Sequence, residues 1–158
     1  MNSKKGAPER RVYGWKEWIL FLRKRVPLRA KLDTGARTSS IHAENIKRIT
    51  RHGQKRVTFT IVDPKRDADG EHAVHYECPV VRTARVRNAD GQQSERIVVE
   101  LEFWLGGEQH RAEFTLNTRH DMLNPVLLGR FAIKKLGLVD SGRTYLAGRD
   151  PRKRRTRK

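Results

Sequence analysis

The stretch Ala30-Lys31-Leu32-Asp33-Thr34-Gly35-Ala36 decides how the rest of the chain is read. Leu28, Ala30 and Leu32 alternate with Arg29 and Lys31, the period-two pattern of a strand with one buried face. That strand runs directly into Asp33, so a carboxylate stands where extended backbone gives way to a turn. Thr34 offers a hydroxyl to lock the turn, and Gly35 allows close backbone approach and presents an N–H to the carboxylate. Two such turns face to face would share one proton. The ionised carboxylate would then activate water, and the neutral one would protonate a substrate carbonyl.

Strand patterns flank this turn on both sides. Upstream, Trp18, Leu20 and Leu22 alternate with Ile19, Phe21 and Arg23 until Pro27 interrupts. Downstream, Ile41 to Ile49 reads as one or two turns of helix, and His52-Gly53 as a turn. Val57, Phe59 and Ile61 then alternate with threonines, and the polar run Asp63 to Glu71 leads into a returning strand, Val74 to Cys78. A second hairpin joins Val80–Arg87 to Ile97–Trp104 through Asn88-Ala89-Asp90-Gly91, and a third turns at Gly106-Gly107 into Ala112, Phe114 and Leu116. Val126-Leu127-Leu128 forms an apolar strand, and Phe131 to Leu136 carries apolar groups at helical spacing until Gly137. Leu138-Val139 and a turn at Ser141-Gly142 close the pattern. Successive hairpins predict a meander, and hence an all-β sandwich or small closed barrel with one helix in its C-terminal half. Trp15, Trp18 and Trp104 belong to its core on this reading.

A chain of 158 residues suits one domain. The formal charge is +17; residues 149–158 carry +6 and residues 1–11 carry +3, and subtracting both leaves +8 on the rest. The expected division is a flexible basic arm over 1–11, a single domain over 12–148 and a disordered basic tail over 149–158. Acidic partners follow from the charge, including non-specific contact of the tail with nucleic acid or the ribosome. No aromatic pair in a glycine-rich setting indicates base reading. The single Cys78 excludes an intramolecular disulfide and suits a reducing compartment, so the expected location is cytoplasmic. Trp18 to Leu22 is too short for a signal-peptide core or a membrane span, and no membrane association is expected.

Leu32-Asp33-Thr34-Gly35-Ala36 resembles the retropepsin catalytic motif, and Val126-Leu127-Leu128-Gly129-Arg130 followed by a helix resembles the second signature that supports the catalytic turn. The order agrees. The fuller run Ala30 to Ser40, with Arg119 to Met122 and Leu128-Gly129-Arg130, is similar to a bacterial retropepsin-like family whose members commonly carry the label ATP-dependent zinc protease. The resemblance spans roughly Gly14 to Tyr145. It implies a homodimer with one catalytic aspartate, Asp33, per chain. Thr34, Gly35, Gly129 and Arg130 would then support the turn, while Ala36 and Arg37 face substrate. It also implies a flap, assigned here to Val86–Ile97. Viral retropepsins usually place an acid after the motif to pair with the arginine of the second signature, and this chain has Arg37 there. Arg130 then needs another partner, Asp121 or Asp140, or else Arg37 and Arg130 both face the cleft and attract anions. With the basic body, this favours an acidic, glutamate-rich peptide, consistent with relatives that act beside enzymes adding glutamates to proteins.

Neither half of the zinc-protease label finds support in the residues. His72-x-x-His75-x-x-Cys78 has ligand types, but on a strand His72 and Cys78 share one face and His75 the other. His42, near the turn, reads as a packed histidine, and no phosphate-binding glycine loop occurs. No metal or other cofactor is expected. The reading is an intracellular, homodimeric aspartic endopeptidase acting on acidic peptide or protein tails; the alternative is a non-catalytic basic module that binds ribosomal or nucleic-acid partners.

Overall fold

The structure, a computed structural model, describes residues 10–23, 26–87, 90–118 and 123–151. Within them the chain forms β1 (Val12–Gly14), β2 (Lys16–Phe21), β3 (Val26–Leu32), β4 (Ser39–His42) and β5 (Glu44–Arg51). There follow β6 (Gln54–Ile61), β7 (Val74–Pro79), β8 (Arg82–Arg87), β9 (Gln93–Leu105) and β10 (Glu108–Asn117). The C-terminal part holds β11 (Val126–Leu128), α1 (Arg130–Leu136) and β12 (Leu138–Asp140). No described helix is long and apolar enough to cross a membrane.

Six strands close into a barrel in the order β10-β4-β11-β3-β2-β9, with β9 pairing back onto β10. Its inside is filled by alternate residues of each strand, as the period-two pattern requires: Leu28, Ala30 and Leu32 from β3, and Leu101, Phe103 and Leu105 from β9. Phe21, Phe103 and Phe114 form the densest contact, with ring centroids 5.4–5.9 Å apart. Trp18 is buried with this core, while Trp15 and Trp104 are half-buried. The all-β class, the closed barrel and the single C-terminal helix are as the sequence pattern implied.

Two details differ from that pattern. The segment Ile41–Ile49 is not helical but forms the end of β4 and most of β5. A bulge between Glu44 and Lys47, with Asn45 at φ 53°, adds one residue against β6. That extra residue breaks the alternation and leaves Ile46 and Ile49 at a spacing of three, which imitates a helix. Nor is the barrel a simple meander. Hairpins do join β5-β6-β7 and β8-β9-β10, but β3 runs parallel to β11, and β4 parallel to β10. The crossovers place β11 between β3 and β4, so segments about 90 residues apart in sequence meet side by side.

Segments near the two ends of the described residues fasten to one another through a carboxylate buried in the barrel wall. Glu17 on β2 is fully buried and accepts the backbone N–H groups of Gly14 at 2.6 Å, Leu146 at 3.1 Å and Ala147 at 3.1 Å. Trp15 N–H donates to Arg143 O and Tyr145 N–H to Lys16 O, which lays residues 143–147 along the start of β2. Tyr145 stacks on Trp18, and Asp150 pairs with Arg66 at 3.1 Å. Of the expected arm over 1–11, residues 1–9 lie outside the described residues, and so do residues 152–158 of the expected tail over 149–158.

Candidate active site

Asp33 is delivered by the parallel pairing of β3 with β11. Leu32 sits opposite Leu128, and Asp33 N–H donates to Leu128 O at 2.8 Å, so the two strands end together. Asp33 and Gly129 therefore leave the barrel at one point. The turn closes by Ala36 N–H donating to Asp33 O at 3.2 Å, and Gly35 N–H donates to Asp33 Oδ1 at 2.8 Å. A Cβ on residue 35 would stand 3.1 Å from that oxygen, so glycine is what lets the amide come this close. Asp33 itself is half-buried, with its carboxylate at the barrel end.

The second signature acts on the turn through the first N–H groups of α1. The start of a helix leaves its amides without internal partners, and the N-cap residue here, Gly129, has no side chain to cap them. The Asp33 turn takes that place: Arg130 N–H donates to Ala36 O at 2.7 Å and Phe131 N–H to Arg37 O at 3.3 Å. Ser39 Oγ accepts Gly129 N–H at 3.0 Å in a buried setting. Gly129 is pressed so closely on the segment after the turn that a Cβ there would meet Thr38 backbone atoms at 2.5–2.8 Å. Backbone cannot swing aside as a side chain can, so Gly129→Ala is expected to lower unfolding stability by about 1–3 kcal/mol. A chemical-denaturation midpoint unchanged from wild type would contradict this packing.

The structure gives Arg130 a partner that the sequence reading did not name. Its Nη1 lies 3.4 Å from Thr34 O and 3.3 Å from Gly35 O, so it rests on carbonyl oxygens of the turn itself. Asp140 is engaged elsewhere, accepting Gly142 N–H at 2.9 Å and standing 3.6 Å from Arg143. Asp121 lies outside the described residues. Arg37 is exposed and its guanidinium sits 5.2 Å from the centre of the Phe131 ring. Thr34 is exposed and contributes its carbonyl, and Ala36 contributes both its N–H and its carbonyl. The structure thus brings Asp33, Thr34, Gly35, Ala36, Arg37, Gly129 and Arg130 into one hydrogen-bonded unit.

Sequence reading missed Ser39 and Phe131. A serine in a Thr-Ser-Ser run gives no sign that it will cap an amide 90 residues away. Phe131 was placed on the apolar face of the helix, yet it is 48 % exposed. Glu17 was missed too, although a lone acid at the head of an apolar strand was a signal.

The histidine and cysteine residues are dispersed into other roles. His75 Nδ1 is 2.7 Å from Thr60 Oγ1 on the neighbouring strand, and His72, which precedes β7, donates its backbone N–H to Asp67. His42 is fully buried, 3.8 Å from Glu44 Oε2. Among the described residues no group of three or more His, Cys, Asp or Glu is placed to hold a metal ion. Burial pushes the Cys78 thiol up to about 11. At pH 8 it is therefore protonated as well as covered, and alkylation by iodoacetamide is expected to proceed only as fast as the protein unfolds. Rapid labelling of the native protein would contradict that burial.

The β8–β9 hairpin extends past the barrel. Residues 93–97 of β9 pair only with β8, while the rest of β9 joins β10 and β2. The segment expected to be a flap, Val86–Ile97, falls on this hairpin, and its residues 88–89 lie outside the described residues.

A closed six-stranded barrel that presents an Asp-Thr-Gly turn on a Leu-Gly-Arg support is the arrangement of retropepsin-like proteins. The chain belongs to the RimB-like family: the model of that family, described as retropepsin-like aspartic endopeptidase RimB, matches residues 12–150. Among curated relatives, a probable alpha-L-glutamate ligase of Shewanella pealeana is 34 % identical over 138 residues, which cover 87 % of this chain and 30 % of the relative. A protein of the same description from Desulfotalea psychrophila is 33 % identical over 132 residues, or 83 % of this chain and 28 % of its own length. The chain thus spans under a third of the length of these relatives. A crystal structure of a Legionella pneumophila protein of unknown function superposes with a TM-score of 0.73 at 31 % identity, covering 86 % of this chain and 97 % of that one.

Proposed function

We propose that this chain is an aspartic endopeptidase that works as a homodimer and cuts acidic, glutamate-rich polypeptides. The observation that carries the reading is the Asp33 turn: its carboxylate is oriented by Gly35 N–H, and the turn is braced by the Gly129-Arg130 segment. One chain supplies one such aspartate, and a second copy would set its own Asp33 opposite.

The chemistry then balances with no further reactant. The ionised Asp33 carboxylate takes a proton from a bound water, and the hydroxide formed attacks the peptide carbonyl carbon. The neutral Asp33 of the other copy gives its proton to the carbonyl oxygen, producing a tetrahedral diol. As the diol collapses, the Asp33 that is now neutral gives its proton to the nitrogen, the ionised Asp33 takes a hydroxyl proton, and the C–N bond breaks to leave a carboxylic acid and an amine. The hairpin β8–β9, with Arg85 and Arg87 exposed on it, is the flap of this proposal, closing a basic surface over substrate.

Acidic specificity is supported by charge and by kinship. Arg37 and Arg130 flank the catalytic turn, and Arg37 stands where viral retropepsins carry an acid. Relatives named as probable glutamate ligases contain a region like this chain. A ligase that joins glutamate through an amide makes the class of bond that this hydrolase would cut. The deciding experiment is cleavage of glutamate-rich peptides by wild-type protein and by Asp33→Asn.

A further inference from the structure

A groove of about 560 Å³ opens behind the catalytic turn, between α1 and the β9–β10 pair. Thr38 and Ser39 form its near end, so it begins one residue beyond Arg37. Its floor is apolar, with Phe103, Ala132 and Leu136 among its lining, and Phe131 stands at its mouth. An aromatic ring nearly half exposed on a short helix is a surface in want of a partner. Cations bracket that ring: Arg37 lies 5.2 Å and Lys134 5.1 Å from its centre.

The rim of the groove is positive, and its two sides differ. On the sheet side, Arg82 is held by Glu113 at 3.0 Å, and Arg111 by Glu100 at 3.2 Å and Glu102 at 3.8 Å. On the helix side, exposed Lys134 and Lys135 pair with no carboxylate among the described residues. An apolar floor beneath exposed ammonium groups fits a polypeptide that carries carboxylates around an apolar side chain. A second copy docking by two-fold symmetry would bring the same positive rim against itself. The chain's own basic tail would be repelled in the same way.

We propose that this groove is an exosite that holds an acidic stretch of the substrate polypeptide. An apolar side chain of that stretch rests on Phe131 and Leu136, and its carboxylates meet Lys134 and Lys135. The role as an exosite rests on the aspartic-peptidase reading of Asp33, whereas the binding itself does not require that chemistry. Because Arg130 and Phe131 hydrogen-bond the carbonyls of Ala36 and Arg37, a segment docked on Phe131 is registered directly against the catalytic turn.

The test reads binding by fluorescence anisotropy with full-length Asp33→Asn protein, so that no turnover intrudes. The probe is a fluorescein-labelled peptide in which runs of glutamate flank a Phe-Leu pair. Reversing both lysines, Lys134→Glu with Lys135→Glu, is expected to weaken binding about tenfold or more, whereas the same charge change in the tail, Arg154→Glu with Arg155→Glu, weakens it less than about threefold. Phe131→Ser is expected to weaken this probe about tenfold while leaving an all-glutamate peptide unchanged. Equal losses from rim and tail would mean that binding follows net charge alone and would overturn the exosite. So would a rim variant that alters the sedimenting mass, since the occupant would then be a second copy. In the active protein, the rim variant is expected to raise KM for a long glutamate-rich substrate and to spare one too short to reach the groove. If Asp33→Asn left cleavage unchanged but the anisotropy differences stood, the peptidase reading would fail while the acidic-peptide site remained.

Discussion

Asp33→Asn is expected to remove cleavage of glutamate-rich peptides, lowering kcat by about 10²–10⁴-fold, the range that positioned acid–base groups contribute. The substitution is chosen because it changes chemistry and little else. Asparagine keeps the size of the side chain and an oxygen that can accept Gly35 N–H, the contact that orients Asp33 Oδ1 at 2.8 Å. It cannot take a proton from water. The turn also keeps its backbone supports from Leu128, Arg130 and Phe131, none of which involves the carboxylate. Binding of acidic peptide should therefore survive while turnover disappears. Because each dimer would carry two substitutions, neither the base nor the acid is left. Chelators should leave the wild-type rate unchanged, because the proposed steps use two carboxyl groups and water alone. Wild-type cleavage by the Asp33→Asn protein would end the aspartic mechanism.

Glu17→Ala should produce the largest loss of stability, about 3–5 kcal/mol, since it leaves one buried and two part-buried backbone N–H groups without their acceptor and opens a void in the barrel wall. Those groups belong to Gly14, Leu146 and Ala147, so one carboxylate fastens both ends of the domain to β2. Its removal should free residues 143–147, and the stacking of Tyr145 on Trp18 with them. Glu17→Gln keeps one side-chain oxygen as an acceptor, and its amide would face donors with a donor of its own, so its loss should fall between wild type and Ala. Urea unfolding followed by tryptophan fluorescence measures both. A loss under about 1 kcal/mol for Glu17→Ala would show that the segment is held by its apolar contacts rather than by the carboxylate.

Much of the barrel could be read directly from alternation. The strands carrying Leu28, Ala30 and Leu32, or Val57, Phe59 and Ile61, bury one face and follow the period-two rule without interruption. Where a bulge intervenes, as at Glu44 to Lys47, the rule fails, and the residues beyond it fall at a helix-like spacing. Parallel pairing was equally hidden. Hairpins announce themselves by short turns, whereas β3 with β11 and β4 with β10 are joined by long excursions whose pairing has no local signal.

The order of residues by itself determined the turn at Asp33, the need for glycine at position 35 and the positive charge of the whole, because these rest on local backbone geometry and composition. The partners of those residues were decided only in three dimensions. Arg130 resting on the turn carbonyls, Ser39 capping Gly129 and Phe131 carrying Arg37 all arise because β11 threads between β3 and β4, and the barrel brings together amides and carbonyls that the sequence holds some 90 residues apart. Glu17 follows the same logic: its charge was visible at once, but that burial would be tolerated depended on three N–H groups delivered from the two ends of the domain.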